Sequence, residues 1–315
     1  MLWRWDYLIL GMLLLAELCQ LGEAVANNNK VRRNRRLRSV KGRQLSARRT
    51  NQVAARNRNT NRSGAGVKKL NQRRKATTTA SKNSAKIQSR IVGGTSTTIS
   101  TAKHLVQVRI SQTNLCGGSI IDDRWILTAA HCVRGNPASA FIVRGGTTTL
   151  DGSDGIVRSV DSVHVAPKFT TARMNMDAAL LKLNESMTGT NIETITMATS
   201  PPKAGSNLRV AGWGVTSEGS STASRTLRFA QLRAVRRSRC RNLYRGRATI
   251  TNYMICATAA GRDSCSGDSG GSLSRNNTLF GIVSFGFGCA RSRYPGVYAS
   301  VSAIRQWANN VMANN

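Results

Sequence analysis

Three short segments contain residues whose types could together carry out nucleophilic catalysis: LTAAHC around His131, MDAALLKL around Asp177 and DSCSGDSGG around Ser269. A serine hydroxyl is a poor nucleophile at neutral pH, so it needs an imidazole to take its proton and a carboxylate to orient that imidazole. Each segment alone has a structural interpretation, because a Gly-rich Asp-Ser stretch, for example, is usually a turn. Their joint occurrence is what indicates chemistry.

In the order His, Asp, Ser, the segments resemble those of the chymotrypsin-fold serine proteases, and of the trypsin branch in particular. The resemblance covers residues 91–315, from IVGG to the C-terminal helix. It implies that Ser269 attacks the scissile carbonyl, that His131 serves as general base and then general acid, and that Asp177 fixes the imidazole tautomer. The expected activity is peptide hydrolysis through an acyl-enzyme, with no cofactor and no metal.

The same resemblance assigns the groups that bind the substrate. The backbone N–H groups of Gly267 and Ser269 are expected to form an oxyanion hole. Asp263, six positions before Ser269, is expected at the base of the primary pocket, where a buried carboxylate needs a partner. In this family that partner is an Arg or Lys of the substrate, so the expected cut follows Arg or Lys; a solvated loop aspartate is the alternative. The expected pocket walls are Ser284, Gly286 and Gly296.

The elements that position these residues are expected to be short strands. From Ile91 onward, alternating apolar segments such as LVQVRI at 105–110 are separated by Gly, Asn, Ser and Thr. Many short strands without long amphipathic helices favour an all-β barrel or sandwich. Apolar residues at helical spacing predict one terminal helix over residues 301–311. The resemblance implies two six-stranded antiparallel β-barrels followed by this helix, in a peptidase domain of residues 91–315.

The IVGG segment also implies activation by proteolysis. Arg90 precedes Ile91 and is itself a trypsin-like cleavage site, so the activator could be another trypsin-like protease or a second copy of the chain. After cleavage, the new ammonium group of Ile91 is expected to fold inward and pair with Asp268. Burying either charge alone is expensive, so the pair forms only after the cut.

Seven cysteines occur, of which Cys19 lies in the N-terminal segment. The six others suit three disulfides in an oxidising compartment, and counting alone leaves 15 pairings open. The resemblance implies the pairs Cys116–Cys132, Cys240–Cys256 and Cys265–Cys289.

The N-terminus has the pattern of a secretory signal peptide over residues 1–26. Arg4 precedes an apolar run at residues 8–15, and the small residues Ala24 and Ala26 follow. A membrane anchor is the alternative, but a span needs about 20 apolar residues. Secretion to the extracellular space is therefore expected.

Residues 27–90 form a basic arm, with 21 Lys or Arg, no Asp or Glu and no aromatic residue. Such a composition cannot bury enough apolar surface to fold, so the arm is predicted to be a disordered pro-segment. Two interpretations stay open: a disposable soluble pro-segment, or a segment that binds polyanions such as sulphated glycans. Nucleic acid is disfavoured as a partner because stacking aromatics are lacking.

The body, residues 91–315, is also basic, with 25 Lys or Arg and 11 Asp or Glu. Six arginines surround Cys240, and they either form a solvated face or a second polyanion site: Arg236, Arg237, Arg239, Arg241, Arg245 and Arg247. Other expected partners are protein substrates and protein inhibitors, and no membrane partner is expected.

Two further expectations concern the catalytic activity and calcium. A protease-fold binding protein is the rival to an enzyme, but such proteins usually lack one of the three catalytic residues, and all three are present here. The loop at residues 145–154 lacks the acidic pair of calcium-binding trypsins, so calcium is not expected.

Overall fold

The computed structural model describes residues 93–110, 114–291 and 293–315. The predicted signal peptide, the predicted disordered arm and both residues of the Arg90–Ile91 bond lie outside the described residues. Within them, the strands are β1 Thr95–Ser96, β2 Leu105–Ile110, β3 Asn114–Asp122, β4 Trp125–Thr128, β5 Phe141–Gly145, β6 Ile156–Val165, β7 Ala179–Leu183, β8 Thr196–Met197, β9 Asn207–Gly212, β10 Arg228–Val235, β11 Met254–Thr258, β12 Ser272–Arg275, β13 Thr278–Phe285 and β14 Gly296–Ser300. The helices are α1 Ala130–Val133, α2 Arg237–Leu243 and α3 Val301–Ala313.

The first barrel closes in the order β2-β3-β4-β7-β6-β5, with every neighbouring pair antiparallel. Its strands are rich in β-branched and aliphatic residues, which suit a pleated, buried surface. Val106, Ile126 and Leu181 are completely buried and belong to its apolar core. Closure leaves this barrel without an open sheet edge.

The second barrel is formed by β9, β10, β11, β14, β13 and β12, and the pairing of β9 with β10 closes it. All six pairings around this barrel are antiparallel. Val210, Leu273 and Tyr298 fill a separate core. Two short strands attach outside it: β1 pairs with β10, and β8 runs parallel to β13. The expected all-β fold with two six-stranded barrels is therefore confirmed.

The helix α3 extends the predicted C-terminal helix by two residues, to Ala313. Val301, Ile304 and Ala308 are its buried residues and pack against β13 and β8. They lie on one side of the helix because residues three and four positions apart share a face. No helix in the described part of the chain is long and apolar enough to span a bilayer.

Three disulfides join Cys116 to Cys132, Cys240 to Cys256 and Cys265 to Cys289. These are the pairs that the resemblance implied. The first connects β3 to α1, and the third connects the segment before Ser269 to the segment after β13. Two of the three therefore constrain the loops that carry the candidate site.

The loop at residues 145–154 is held by arginine side chains. Arg144 donates a hydrogen bond to the carbonyl of Gly152, and Arg109 donates one to the carbonyl of Leu150. Asp154 accepts a hydrogen bond from Thr147 at 2.7 Å. Guanidinium groups thus bind two carbonyl oxygens of this loop.

We expect metal chelation to leave the stability of the protein unchanged, because the loop carbonyls are already bound by guanidinium donors. Arg144→Ala should instead lower the free energy of unfolding by about 1 kcal/mol, the usual net value of one hydrogen bond. Urea unfolding with and without EDTA measures both effects, with Arg173→Ala as an exposed control. A lower urea midpoint in EDTA would contradict the expectation.

Candidate active site

His131 and Asp177 meet where two paired strands of the first barrel end. β4 pairs with β7 so that Thr128 lies opposite Ala179. His131 follows β4 in the short helix α1, and Asp177 precedes β7. Asp177 is buried, and its Oδ2 lies 2.7 Å from His131 Nδ1, while its Oδ1 accepts the backbone N–H of His131 at 2.9 Å. The imidazole is therefore held in one orientation by a single carboxylate.

Ser284 contributes a third hydrogen bond to Asp177. Its Oγ donates to Asp177 Oδ2 at 2.6 Å. The pairing of β13 with β14 shifts register between Val283 and Phe285, so Ser284 lies at a bulge. Bulges often redirect a side chain beside a functional site. The sequence indicated Ser284 only as a pocket wall, because a bulge leaves no recognisable mark in the amino-acid pattern.

Ser269 lies in the loop before β12, and this loop contacts the first barrel. The carbonyl of Ser269 accepts the N–H of Gly117 at 2.7 Å. A side chain at Gly270 would clash with Thr128, which lies three residues before His131. These contacts bring the Ser269 loop against the segment that carries His131. Among the hydrogen bonds of the described residues, none joins Ser269 Oγ to His131, whose Nε2 lies 3.8 Å from Cys132 Sγ.

Two backbone N–H groups beside Ser269 are free to bind an anionic oxygen. Neither Gly267 nor Ser269 donates its N–H to another group in the described part of the chain. Gly267 has φ +88°, a left-handed conformation that favours glycine, and an added Cβ would lie 3.1 Å from Gly214 Cα. The loop thus exposes two donors and excludes a side chain between them.

Asp263 lies in a pocket of about 300 Å³ that also contains Ser269, Ser284, Gly286 and Gly296. Its Oδ1 accepts the N–H of Ser264 at 2.9 Å, and its Oδ2 accepts the N–H of Ala290 at 3.1 Å. A side chain at Gly296 would place its Cβ 2.7 Å from Asp263 Oδ1 and fill the pocket floor. No Lys or Arg is among the described residues that line the pocket. Burial raises the pKa of Asp263 to about 7, partly opposed by these backbone hydrogen bonds.

Asp268 is a second buried carboxylate, adjacent to Ser269. It accepts N–H groups from Gly214 at 2.8 Å and from Cys265 at 3.0 Å. Burial raises its pKa to about 6, and no cation of the described residues pairs with it. Gly93, two residues after Ile91, lies against Gly261 and Arg262 in the same loop region. The chain that follows Ile91 therefore passes close to the loops of the site.

The two other histidines lie outside this arrangement. His104 is buried and lies 3.0 Å from Ser272 Oγ, and burial lowers its pKa to about 4. His164 lies 2.9 Å from Ser162 Oγ on β6. Each is engaged by a neighbouring serine, as expected of structural histidines.

Comparison with known proteins places the chain in a family. The Trypsin family model matches residues 91–308. Trypsin beta of Drosophila erecta is 41% identical over 226 residues, covering 71% of this chain and 89% of that protein. Trypsin alpha of Drosophila melanogaster is 40% identical over 223 residues, covering 70% and 87%. Trypsin alpha-4 of Lucilia cuprina has the same identity over the same length, covering 70% and 87%. With the two closed barrels, these matches show that the chain belongs to the trypsin family and is a trypsin-like serine endopeptidase of the chymotrypsin fold.

Proposed function

We propose that the chain is a secreted zymogen that, once cut between Arg90 and Ile91, hydrolyses peptide bonds after Arg or Lys. The observation that carries the proposal is the His131–Asp177 pair, with the Ser269 loop packed against its segment, beside a pocket whose buried Asp263 has no cation partner. The three disulfides suit an oxidising, extracellular setting.

In the proposed mechanism, Ser269 Oγ attacks the scissile carbonyl while its proton passes to His131 Nε2. The electron pair of the C=O bond moves to oxygen, and the imidazolium is stabilised by Asp177. Collapse of the tetrahedral intermediate breaks the C–N bond, and His131 gives the proton to the leaving amine. A water molecule then attacks the carbonyl of the acyl-enzyme, with His131 taking its proton. Collapse of this second intermediate returns the proton to Ser269 Oγ and releases the product with a new carboxyl end.

The negative oxygen of the intermediate would be bound by the N–H groups of Gly267 and Ser269. These donors are already free of other partners in the described residues, so they need not break a hydrogen bond to bind it. Donors of this kind, once they are held in place, are typically worth about 3 kcal/mol each in the transition state. The left-handed backbone at Gly267 explains why glycine is needed there.

Substrate choice would follow from the charge at the floor of the pocket. A guanidinium or ammonium group entering the pocket gives Asp263 the partner that the protein itself lacks there. Ser284 and Gly286 line the wall, and Gly296 keeps the floor open. A neutral or acidic side chain would leave the buried carboxylate unpaired, which is unfavourable.

We expect the affinity for benzamidine to fall as the pH falls through 7. In the empty pocket the pKa of Asp263 is raised to about 7, so below that pH the carboxyl is protonated and cannot pair with the amidinium. The dissociation constant should rise by up to about tenfold per pH unit. Calorimetric titration between pH 5 and 8.5 measures this, and Asp263→Asn should bind weakly at every pH. Constant affinity across the range would contradict the expectation.

Activation is proposed to depend on Asp268. The ammonium of Ile91, created by the cut, would give this buried carboxylate its cation and would hold the adjacent loop from Gly267 to Ser269 in place. The pairing would also favour the charged carboxylate and so lower the pKa of Asp268 again.

We expect Arg90→Gln to block activation by a trypsin-like protease and to leave the chain at least about 10³-fold less active, since the oxyanion donors are not held. Hydrolysis of a fluorogenic Arg-amide, after treatment with immobilised trypsin and its removal by filtration, measures this. Lys86→Gln, another change of a basic residue in the arm, should activate as the natural chain does. Full activity of uncut Arg90→Gln would contradict the expectation.

The direct test of the proposed function is turnover of a panel of peptidyl amides by the cut protein. Arg and Lys amides should be hydrolysed at least about 10²-fold faster than Leu or Glu amides, given the value of one buried ion pair. N-terminal sequencing should find Ile91 at the start of the active form. No turnover of any amide after a verified cut at Arg90 would remove the proposal.

A further inference from the structure

Three adjoining cavities, formed mostly by the second barrel, are lined by basic side chains. We call the basic residues that line them the basic track: Lys103, Lys203, Arg209, Arg233, Arg236, Arg237, Arg239, Arg262 and Arg275. None of these nine residues lines the pocket that contains Asp263 and Ser269. The basic track is thus separate from the candidate active site.

The cavities are neighbours because they share lining residues. The first, of about 1100 Å³, and the second, of about 650 Å³, share Arg233 and Ala259. The third, of about 370 Å³, shares Arg236 with the second. The three cavities therefore adjoin one another from the side of Arg275 to the side of Lys203, an arrangement that suits a long, linear ligand.

The charge of the track is almost uncompensated. Glu193 is the one acidic residue among the described residues that line the three cavities, and it is paired with Lys103. Residues 219–262 contain ten arginines and neither Asp nor Glu. Concentrated like charges along a groove attract an oppositely charged polymer, partly by releasing its counterions.

Part of the track is held rigidly before any ligand arrives. The guanidinium of Arg209 stacks on Phe229 at 4.2 Å and donates to Thr101 Oγ1 at 2.8 Å. Arg237 donates to the carbonyl of Met254 at 3.1 Å. A fixed guanidinium loses less conformational entropy on binding an anion than a free one does.

The six arginines that surround Cys240 in the sequence fall into two groups in the structure. Arg236, Arg237 and Arg239 line the track, whereas the others point to local partners. Arg241 donates to the carbonyl of Ile250 at 2.9 Å, and Arg247 stacks on Phe287 at 4.6 Å. The track therefore includes residues from β9, β10 and β12 that no sequence cluster predicts.

We propose that the basic track binds a sulphated glycosaminoglycan chain. The ligand must be linear and strongly anionic to match the arrangement of the cavities and their charge. The residues described as lining the three cavities include no Phe, Tyr or Trp, so bases would find no stacking surface, which disfavours nucleic acid. The three disulfides of this chain suit the extracellular space, where sulphated glycans are abundant polyanions. Bound in this way, the enzyme keeps its active-site pocket open.

The test uses the full chain, with Arg233, Arg236 and Arg239 all changed to Gln. These side chains are exposed and donate no hydrogen bond within the described residues, so the fold should tolerate the change. Arg173, Arg225 and Arg245 changed to Gln form the matched control, because they are also exposed and line none of the three cavities. Near-ultraviolet circular dichroism checks that both variants are folded.

Affinity for a heparin decasaccharide is measured at graded salt, and protection of arginines from hydroxyphenylglyoxal is mapped by mass spectrometry. The mapping separates the body from the basic arm, which is present in every variant. We expect the track variant to bind about tenfold or more weakly than the control, with a smaller salt dependence, and Arg233, Arg236 and Arg239 to be protected in the natural chain.

Three results would overturn the proposal. The first is equal loss of affinity in both variants, which would indicate bulk charge alone. The second is protection confined to residues 27–90. The third is tighter binding of a single-stranded DNA oligonucleotide of equal charge at the same arginines, which would make nucleic acid the ligand.

Discussion

Ser269→Ala should lower kcat of the cut enzyme by about 10⁶-fold while leaving its disulfides and thermal unfolding midpoint unchanged. The expected magnitude is that seen when the nucleophile of a serine protease is removed, because His131 and Asp177 then have no hydroxyl to activate. The activity of Ser269→Ala that remains above the uncatalysed reaction in water comes from the oxyanion donors and from substrate binding. Steady-state hydrolysis of an Arg-amide measures the change.

The matched control is Ser238→Ala, which removes the same hydroxyl from an exposed position on α2. It should retain the natural kcat. Because Ser269 contacts Gly117 through its backbone carbonyl and not through its side chain, loss of Oγ should not disturb the fold. A Ser269→Ala enzyme that keeps more than about one hundredth of the natural kcat would show that another group is the nucleophile.

Asp263→Ser should lower kcat/KM for Arg and Lys substrates by between about 10² and 10⁴. Without the carboxylate, the buried guanidinium of the substrate has no partner, and breaking such a pair usually costs about 3–5 kcal/mol.

The Asp263→Ser protein itself should not be destabilised. Burial raises the pKa of Asp263 from 3.8 to about 7, so folding binds a proton and stability falls as the pH rises from about 4 to about 7. Removing the carboxyl removes that penalty at pH 8.

The measurement is a comparison of kcat/KM for Arg, Lys and Leu amides at pH 8. Preference for Arg over Leu should fall in Asp263→Ser and stay unchanged in Asp151→Ser, which removes an exposed aspartate. If Asp263→Ser lost activity equally on all three amides, Asp263 would support the site without selecting the substrate.

Some strands, and the last helix, were predictable because their residues show the periodicity of the element they form. LVQVRI at 105–110 became β2, and the helical pattern from residue 301 became α3. The short helix α2 was not predicted. Three of its seven residues are arginines and only one residue, Cys240, is buried, so no apolar stripe marks it.

Closure of the two barrels could not be predicted from periodicity, because alternation indicates which residues face inward but not which strands pair. The resemblance of the motifs to a known family supplied that step. It also assigned Asp177 and Ser269 to one site, although 92 positions of sequence separate them. The pairing of β4 with β7 explains how His131 reaches Asp177, which spacing along the chain does not reveal.

Other features of the site became visible only in three dimensions. The bulge that directs Ser284 to Asp177 depends on a register shift between β13 and β14. The basic track depends on β9, β10 and β12 lying side by side, which brings together arginines that are far apart in sequence. Such groupings are properties of strand pairing and not of composition.

Labelling by a fluorophosphonate tests the central claim most directly, since this reagent reacts far faster with an activated serine than with ordinary side chains. The cut protein should take up one label per chain, and peptide mapping should place it on Ser269. The uncut protein, and the cut Asp177→Asn variant with its imidazole in the wrong tautomer, should react at least about 10³-fold more slowly. A label on another residue, or no label on a chain that begins at Ile91, would contradict the assignment of Ser269 as the nucleophile.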